Sequence, residues 1–195
     1  MLKAIKEVGL KRLFKYIFYT FMMVIFKLLI FPPLRVLLLR LLGAKIGKNV
    51  YIGNVSFYNY HHEYGFKSLT IGNNAYINEE VLIDLADRIT IEDYAVIAYR
   101  CIILTHMKVS YEDHPLTTYL PNFKKPVHIK KYAVVGTGTL VLPGVTIGEY
   151  AAIGVGSIVN KDVPPYYGMQ GKPIRLVRKF DDLKDQIEHD KGTEK

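Results

Sequence analysis

Residues 129–159 read IKKYAVVGTGTLVLPGVTIGEYAAIGVGSIV, and at a spacing of six they place Ile129, Val135, Val141, Ile147, Ile153 and Val159 in one column. Four residues after each of these come Ala133, Thr139, Val145, Ala151, Ser157 and Val163, all small or β-branched. A helix repeats about every 3.6 residues and a strand every two, so neither accounts for the pattern. A short strand plus a sharp corner does: three such sides close a triangular coil of roughly eighteen residues, and each aliphatic stacks on its equivalent one coil away. Upstream the column returns as Ile71, Ile77, Ile83 and then Ile91, Ile97, Ile103, with Ala75, Val81, Ala95 and Cys101 at the small position. Ile46 and Ile52 open the series. The spacing predicts a parallel β-helix of about five coils. Gly47, Gly53, Gly72, Gly136, Gly148 and Gly154 directly follow the aliphatics, where the expectation is that the corner uses glycine's conformational freedom. Two interruptions, near Tyr58–Ser68 and over 106–127, read as loops leaving one side of the coil, where binding residues gather.

The chain has 195 residues, half of them apolar, with 26 basic against 18 acidic side chains. That suits one domain with an appendage and excludes a disordered or low-complexity protein. A lone cysteine, Cys101, excludes a disulfide framework and a multi-thiolate zinc site, and its place in the small column reads as a buried filler. The net charge of +8 suggests nucleic acid until its distribution is read: all but one of the charges in residues 1–48 are basic, whereas the remainder is nearly neutral. No nucleic-acid partner is expected.

From Leu13 to Leu42 the chain is almost continuously apolar, interrupted by Lys15, Lys27, Pro32-Pro33, Arg35 and Arg40. The clean run YIFYTFMMVIF falls short of the ~20 residues a helix needs to cross a bilayer. Basic flanks on both sides favour both ends at the cytoplasmic face. Residues 1–43 therefore read as a basic, apolar, helical membrane-associated segment bent at the proline pair, with its cations against anionic headgroups. A true span over 16–31 and a helical hairpin packed on the domain or on another subunit are the competing readings. Residues 44–180 form the repeat domain, and 181–195 a charged tail, either a short helix or a frayed end.

The stretches IGNNAYINEEVLI, IEDYAVIAYRCIILTH, VVGTGTLVLPGVTIGEYAAIGVGSIVNKDVPP and GKPIRLVRKF carry a family resemblance. The chain resembles the hexapeptide-repeat acyltransferases over about Ala44 to Phe180, especially the bacterial sugar and exopolysaccharide O-acetyltransferases of maltose, galactoside and colanic-acid type. The resemblance implies an all-β, left-handed parallel β-helix and a homotrimer with active sites between subunits. It also implies acetyl-CoA as acyl donor and no metal.

Transfer of an acyl group from a thioester to a hydroxyl needs a base near neutral pKa and donors for the oxyanion. The family places its histidine where a coil ends and the long loop begins, which here gives His106, with His114 inside the loop as the alternative base or as an acceptor contact. A metal-dependent hydratase would need three converging histidines, and the spacing supplies only His106. Asn78, Glu80 and Asp84 are candidate acceptor contacts, and Arg100 is a candidate partner for an acceptor phosphate or for a structural ion pair. His61-His62 reads as a loop pair or a sugar contact, and His128 as a wall residue. On the cofactor side the resemblance points to Thr137, Gly138, Gly154, Val155, Gly156, Ser157, Asn160, Lys161, Lys172 and Arg175. Together these predict an acetyl-CoA-dependent O-acetyltransferase acting on a lipid-linked saccharide in cell-surface polysaccharide synthesis, at the cytoplasmic face of the membrane. An N-acyltransferase on an amino-sugar nucleotide and a catalytically silent trimeric scaffold are the alternatives.

Overall fold

The computed structural model describes residues 10–61, 64–108, 115–120 and 122–193. Short parallel strands stack into three sheets, one for each side of a triangular coil. The first side is built from Lys45–Ile46, Leu69–Ile71, Ile89–Ile91, Val127–Ile129 and Thr146–Ile147. The second runs through Tyr51–Ile52, Tyr76–Ile77, Val96–Ile97, Val134–Val135, Ala152–Ile153 and Tyr167–Gln170. Ser56–Tyr58, Leu82–Asp84, Ile102–Ile103, Leu140–Val141 and Ile158–Val159 form the third. Register follows the six-residue column: Ile71 pairs with Ile91, Ile91 with Ile129 and Ile129 with Ile147. Every aliphatic of that column from Ile71 to Val159 is buried, and each contributes about 1.5–3 kcal/mol by leaving water.

The corners correct one expectation. The left-handed residue is not the glycine after the aliphatic but the residue three places after it: Asn74, Tyr94, Tyr132 and Tyr150 at φ of 54–59°, Glu80 at 60°, Arg100 at 57°, Gly138 and Gly156 at 67°. The six glycines that follow aliphatics serve close approach instead. A Cβ on Gly136 would stand 2.5 Å from the Ile153 carbonyl oxygen, and one on Gly148 2.4 Å from the Pro165 nitrogen. Neighbouring coils touch there, and only a hydrogen fits between them. At the first corner the left-handed residues Tyr94, Tyr132, Tyr150 and Tyr166 stack ring on ring, with centroids 4.9, 4.7 and 5.1 Å apart.

Two helices precede the coil, α1 (Leu10–Leu28) and α2 (Pro32–Leu41). Pro32-Pro33 opens α2, where the missing amide protons have no intrahelical partner to lose. Phe26, Val36 and Leu39 are buried with Ile52, Phe57 and Phe66, so the helices close the open end of the first coil. Arg35 was expected among the headgroup-facing cations, and the structure corrects this. It is buried, donates from Nε to the Leu29 carbonyl at 2.6 Å and from a terminal nitrogen to the Ile52 carbonyl at 3.4 Å, and lies over the Phe26 ring. Arg40 likewise bonds the carbonyls of Ile46 and Gly47. Both guanidiniums fasten the helices to the coil, because carbonyls at the open end of a solenoid need donors. At the other end Tyr167–Gln170 pairs with Arg175–Lys179 as an antiparallel hairpin, followed by helix α3 (Asp181–Thr193).

Candidate active site

His106 stands three residues after Ile103, the same corner position that Gly144 takes one coil later. There the chain leaves the coil: His106–Met107 pairs antiparallel with Phe123–Lys124, which brings the loop back. The His106 side chain is 33% exposed, and its Nδ1 lies 2.5 Å from Oδ2 of Asp84, whose side chain is 2% exposed. Asp84 is held from every side. Asn59 Nδ2 donates to its Oδ1 at 2.6 Å, the Ala86 amide to the same oxygen at 3.2 Å, and the Thr105 amide to Oδ2 at 2.9 Å. Burial by itself pushes the Asp84 carboxyl up, but the bonds from Asn59, His106 and the Thr105 backbone outweigh it and hold the group below the ordinary carboxylate range. An ionised carboxylate only accepts, so Nδ1 carries a proton, and in the neutral ring Nε2 is then the nitrogen with a lone pair for a substrate.

This changes the role expected for Asp84. It does not face an acceptor sugar; it lies beneath the histidine and fixes its tautomer. Asn78, also expected at the acceptor, is buried and donates to the Ile97 carbonyl at 3.1 Å, a tie between coils. Glu80 and Arg100 sit at the second corner on adjacent coils and pair with each other at 2.7 Å, both well exposed. Of the two readings of Arg100, the structure shows the ion pair. His114 lies outside the described residues, as does His62. His61 packs edge-on against Tyr16 and Tyr60. His128 is on the outer face of the first side, 2.5 Å from Glu92.

The cofactor residues implied by the resemblance fall into two groups. Thr137, Gly138, Gly154, Val155 and Gly156 lie at the second corner, with Lys172 lying over Gly156 and Arg175 exposed on the hairpin beyond. Gly138 is open, with nothing within 4 Å of where a Cβ would be. Asn160 and Lys161 are exposed at the third corner, the one that carries His106. The strands Ile102–Ile103, Leu140–Val141 and Ile158–Val159 join the two corners and present Ile102 outward. Ser157 is the exception. It is buried, its hydroxyl donates to the Gly154 carbonyl at 2.6 Å and accepts from the Gly171 amide at 3.2 Å, and so it braces the hairpin rather than meeting a ligand. Cys101 is buried, which pushes its thiol up, in keeping with a filler.

Asn59 and Thr105 were missed by the sequence reading. Thr105 adjoins His106, but no spacing shows that its amide and hydroxyl reach Asp84 across a coil. Asn59 lies in the first interruption, where periodicity is lost.

No family model matches the chain. Galactoside O-acetyltransferase of Escherichia coli (strain K12) is 29% identical over 150 residues, spanning 74% of this chain and 68% of that enzyme. A Staphylococcus aureus (strain Mu50) protein is 47% identical over 72 residues, and the match spans only 36% of its length. A galactoside acetyltransferase solved in complex with coenzyme A superposes with a TM-score of 0.73 at 26% identity, over 91% of this chain and 86% of that one. In sequence and fold the chain is similar to sugar O-acetyltransferases and to hexapeptide-repeat acetyltransferases. It is an enzyme of the acetyltransferase class, and its stacked parallel strands superpose on the coils of those neighbours. Of the two histidine–carboxylate couples described, His106–Asp84 stands where the long loop leaves the coil and has its carboxylate buried, whereas both members of His128–Glu92 are more than a third exposed.

Proposed function

We propose that the protein transfers an acetyl group from acetyl-CoA to a hydroxyl of a lipid-linked saccharide, in cell-surface polysaccharide synthesis at the cytoplasmic face of the membrane. The observation that carries the reading is the His106–Asp84 pair, with Nε2 left to act. Nε2 takes the proton of the sugar hydroxyl as its oxygen attacks the thioester carbonyl. The tetrahedral intermediate collapses with rupture of the C–S bond, and the imidazolium returns the proton to the departing CoA thiolate. Asp84, kept ionised, supports the positive ring in between. The small and open backbone at Gly138 and Gly156 suits a pantetheine arm lying along the coil, and Lys161, Lys172 and Arg175 are cations for the CoA phosphates.

The membrane part of the reading rests on α1 and α2. Phe14, Ile17, Phe21, Val24, Leu28, Ile30 and Phe31 are all more than half exposed, although Phe26 on the opposite side is buried in the core. No helix among the described residues is long and apolar enough to cross a membrane. The helices therefore suit a position along the bilayer surface, with the apolar stripe at the acyl boundary and Lys15 and Lys27 near headgroups.

The test is acetyl-CoA-dependent release of CoA thiol, with methyl β-galactoside and with extracted membrane glycolipid as acceptors, for wild type and His106→Ala. Wild-type turnover that falls by about 10²–10⁴-fold in the variant is expected of a general base. Equal turnover by both proteins would remove His106 from that role. The homotrimer implied by the family corresponds to three copies of the 22.3 kDa chain by light scattering of the same preparation, and a monomer of full activity would overturn it.

A further inference from the structure

Between α1 and the first coil lies a cavity of about 340 Å³, within the range of small-molecule sites. Tyr16, Met23 and Lys27 line it from the helix, and Tyr58, Asn59 and His61 from the coil and its first loop. We propose that this cavity holds the apolar, phosphate-bearing end of the acceptor while the sugar reaches His106. The inference rests on the acetyl-transfer reading above and specifies the substrate class within it.

Three observations converge on this occupant. The first is position. Asn59 lines the cavity and donates to Oδ1 of Asp84 at 2.6 Å, and Oδ2 of the same carboxylate meets His106 Nδ1 at 2.5 Å. A single carboxyl group thus separates the cavity wall from the base. The second is composition. The aromatic and thioether walls match a hydrocarbon chain, and Lys27 supplies a cation that forms no ion pair among the described residues. A lysine at the edge of an apolar cavity fits a phosphate at the head of an alkyl or prenyl chain, whereas a free hexose would leave the apolar wall uncovered. The third is continuity. The helix that roofs the cavity is the one whose outer side carries the exposed Ile17, Phe21, Val24 and Leu28. A lipid-anchored substrate entering beside α1 therefore passes from the bilayer surface into the cavity without its chain crossing water.

Octyl phosphate, used below its micelle-forming concentration, is the probe for the cavity. It is titrated calorimetrically into wild type, Met23→Trp, which fills the space, and Lys27→Gln, which removes the charge; melting temperatures check that each variant is folded. Binding by wild type that weakens at least tenfold in both variants is expected. Equal binding by all three proteins, or none by wild type, would overturn the proposal. A second arm compares acetyl transfer to octyl β-galactoside and to a galactosyl octyl phosphodiester. A KM at least fivefold lower for the phosphodiester in wild type, with the difference abolished by Lys27→Gln, is expected; identical KM values would overturn the role of Lys27. Acetylation of methyl β-galactoside is read separately and reports on the underlying reaction alone, so loss of that reaction and loss of the cavity's role give different results.

Discussion

Asp84 is the residue on which the chemistry turns, although its sequence context offered it as an acceptor contact and not as the partner of a histidine. It precedes no conspicuous motif and follows the buried Ile83 by one position, yet it collects donors from Asn59, Ala86, Thr105 and His106. Asp84→Asn keeps the volume and removes the charge. Without a carboxylate to accept from Nδ1, the imidazole loses its tautomer preference, and kcat is expected to drop by about 10²–10⁴-fold with little change in CoA binding. The same substitution costs about 1–3 kcal/mol of stability through weakened charged hydrogen bonds. The sign of its pH dependence follows from a folded-state pKa below the ordinary 3.8. The stabilisation is fully present above that value and disappears as pH falls through the lower folded value. Melting curves of the two proteins should therefore differ by a constant amount at neutral pH and converge in strong acid; a gap that widens with acid would be inconsistent with an ionised Asp84.

At the scale of the coil, neighbouring positions with the same residue type have different jobs. Gly136 and Gly138 are two residues apart. The first is required because the next coil's Ile153 carbonyl would stand 2.5 Å from a Cβ, the second because its φ is +67° with open space around it. Alanine at position 136 must push two coils apart, at a cost of about 1–3 kcal/mol or more. Alanine at position 138 meets only the left-handed backbone penalty of about 1–2 kcal/mol, and tyrosine and arginine bear that penalty at other corners of this chain. Urea unfolding should rank wild type, Gly138→Ala and Gly136→Ala in decreasing stability; the reverse order would show that the coils have room to separate.

For the whole molecule, the N-terminal helices have two sides with separate duties. Their inner side closes the coil through Phe26, Val36, Leu39 and the buried Arg35, while the outer side carries the exposed apolar stripe. Deleting residues 1–42 would uncover Ile52, Phe57 and Phe66, so such a deletion tests folding and membrane contact at once. Phe21→Asp with Leu28→Asp separates them, because both side chains are at least 60% exposed. Co-sedimentation with anionic vesicles is expected to be lost in the double variant, with the melting temperature within a few degrees of wild type. Undiminished sedimentation would mean that the stripe faces another protein surface.

The repeat was legible in the sequence because a solenoid buries the same position on every side, so a six-residue column of aliphatics maps directly onto buried, in-register strands. The corner column three residues later was equally periodic, but its left-handed geometry became apparent only in space, since tyrosine, asparagine, glutamate and arginine have no common signature for that conformation. His106 could be proposed because the family that the sequence resembles places its histidine at the end of a coil. Its partner could not, because Asp84 and Asn59 are separated from it by one and two turns of the coil, and only winding the chain brings them together. The same holds for Arg35, which composition assigns to a headgroup and packing assigns to two backbone carbonyls. Periodicity along the chain determined the fold. Contacts between coils, and between the helices and the first coil, decided which of the polar residues face a substrate and which hold another residue in place.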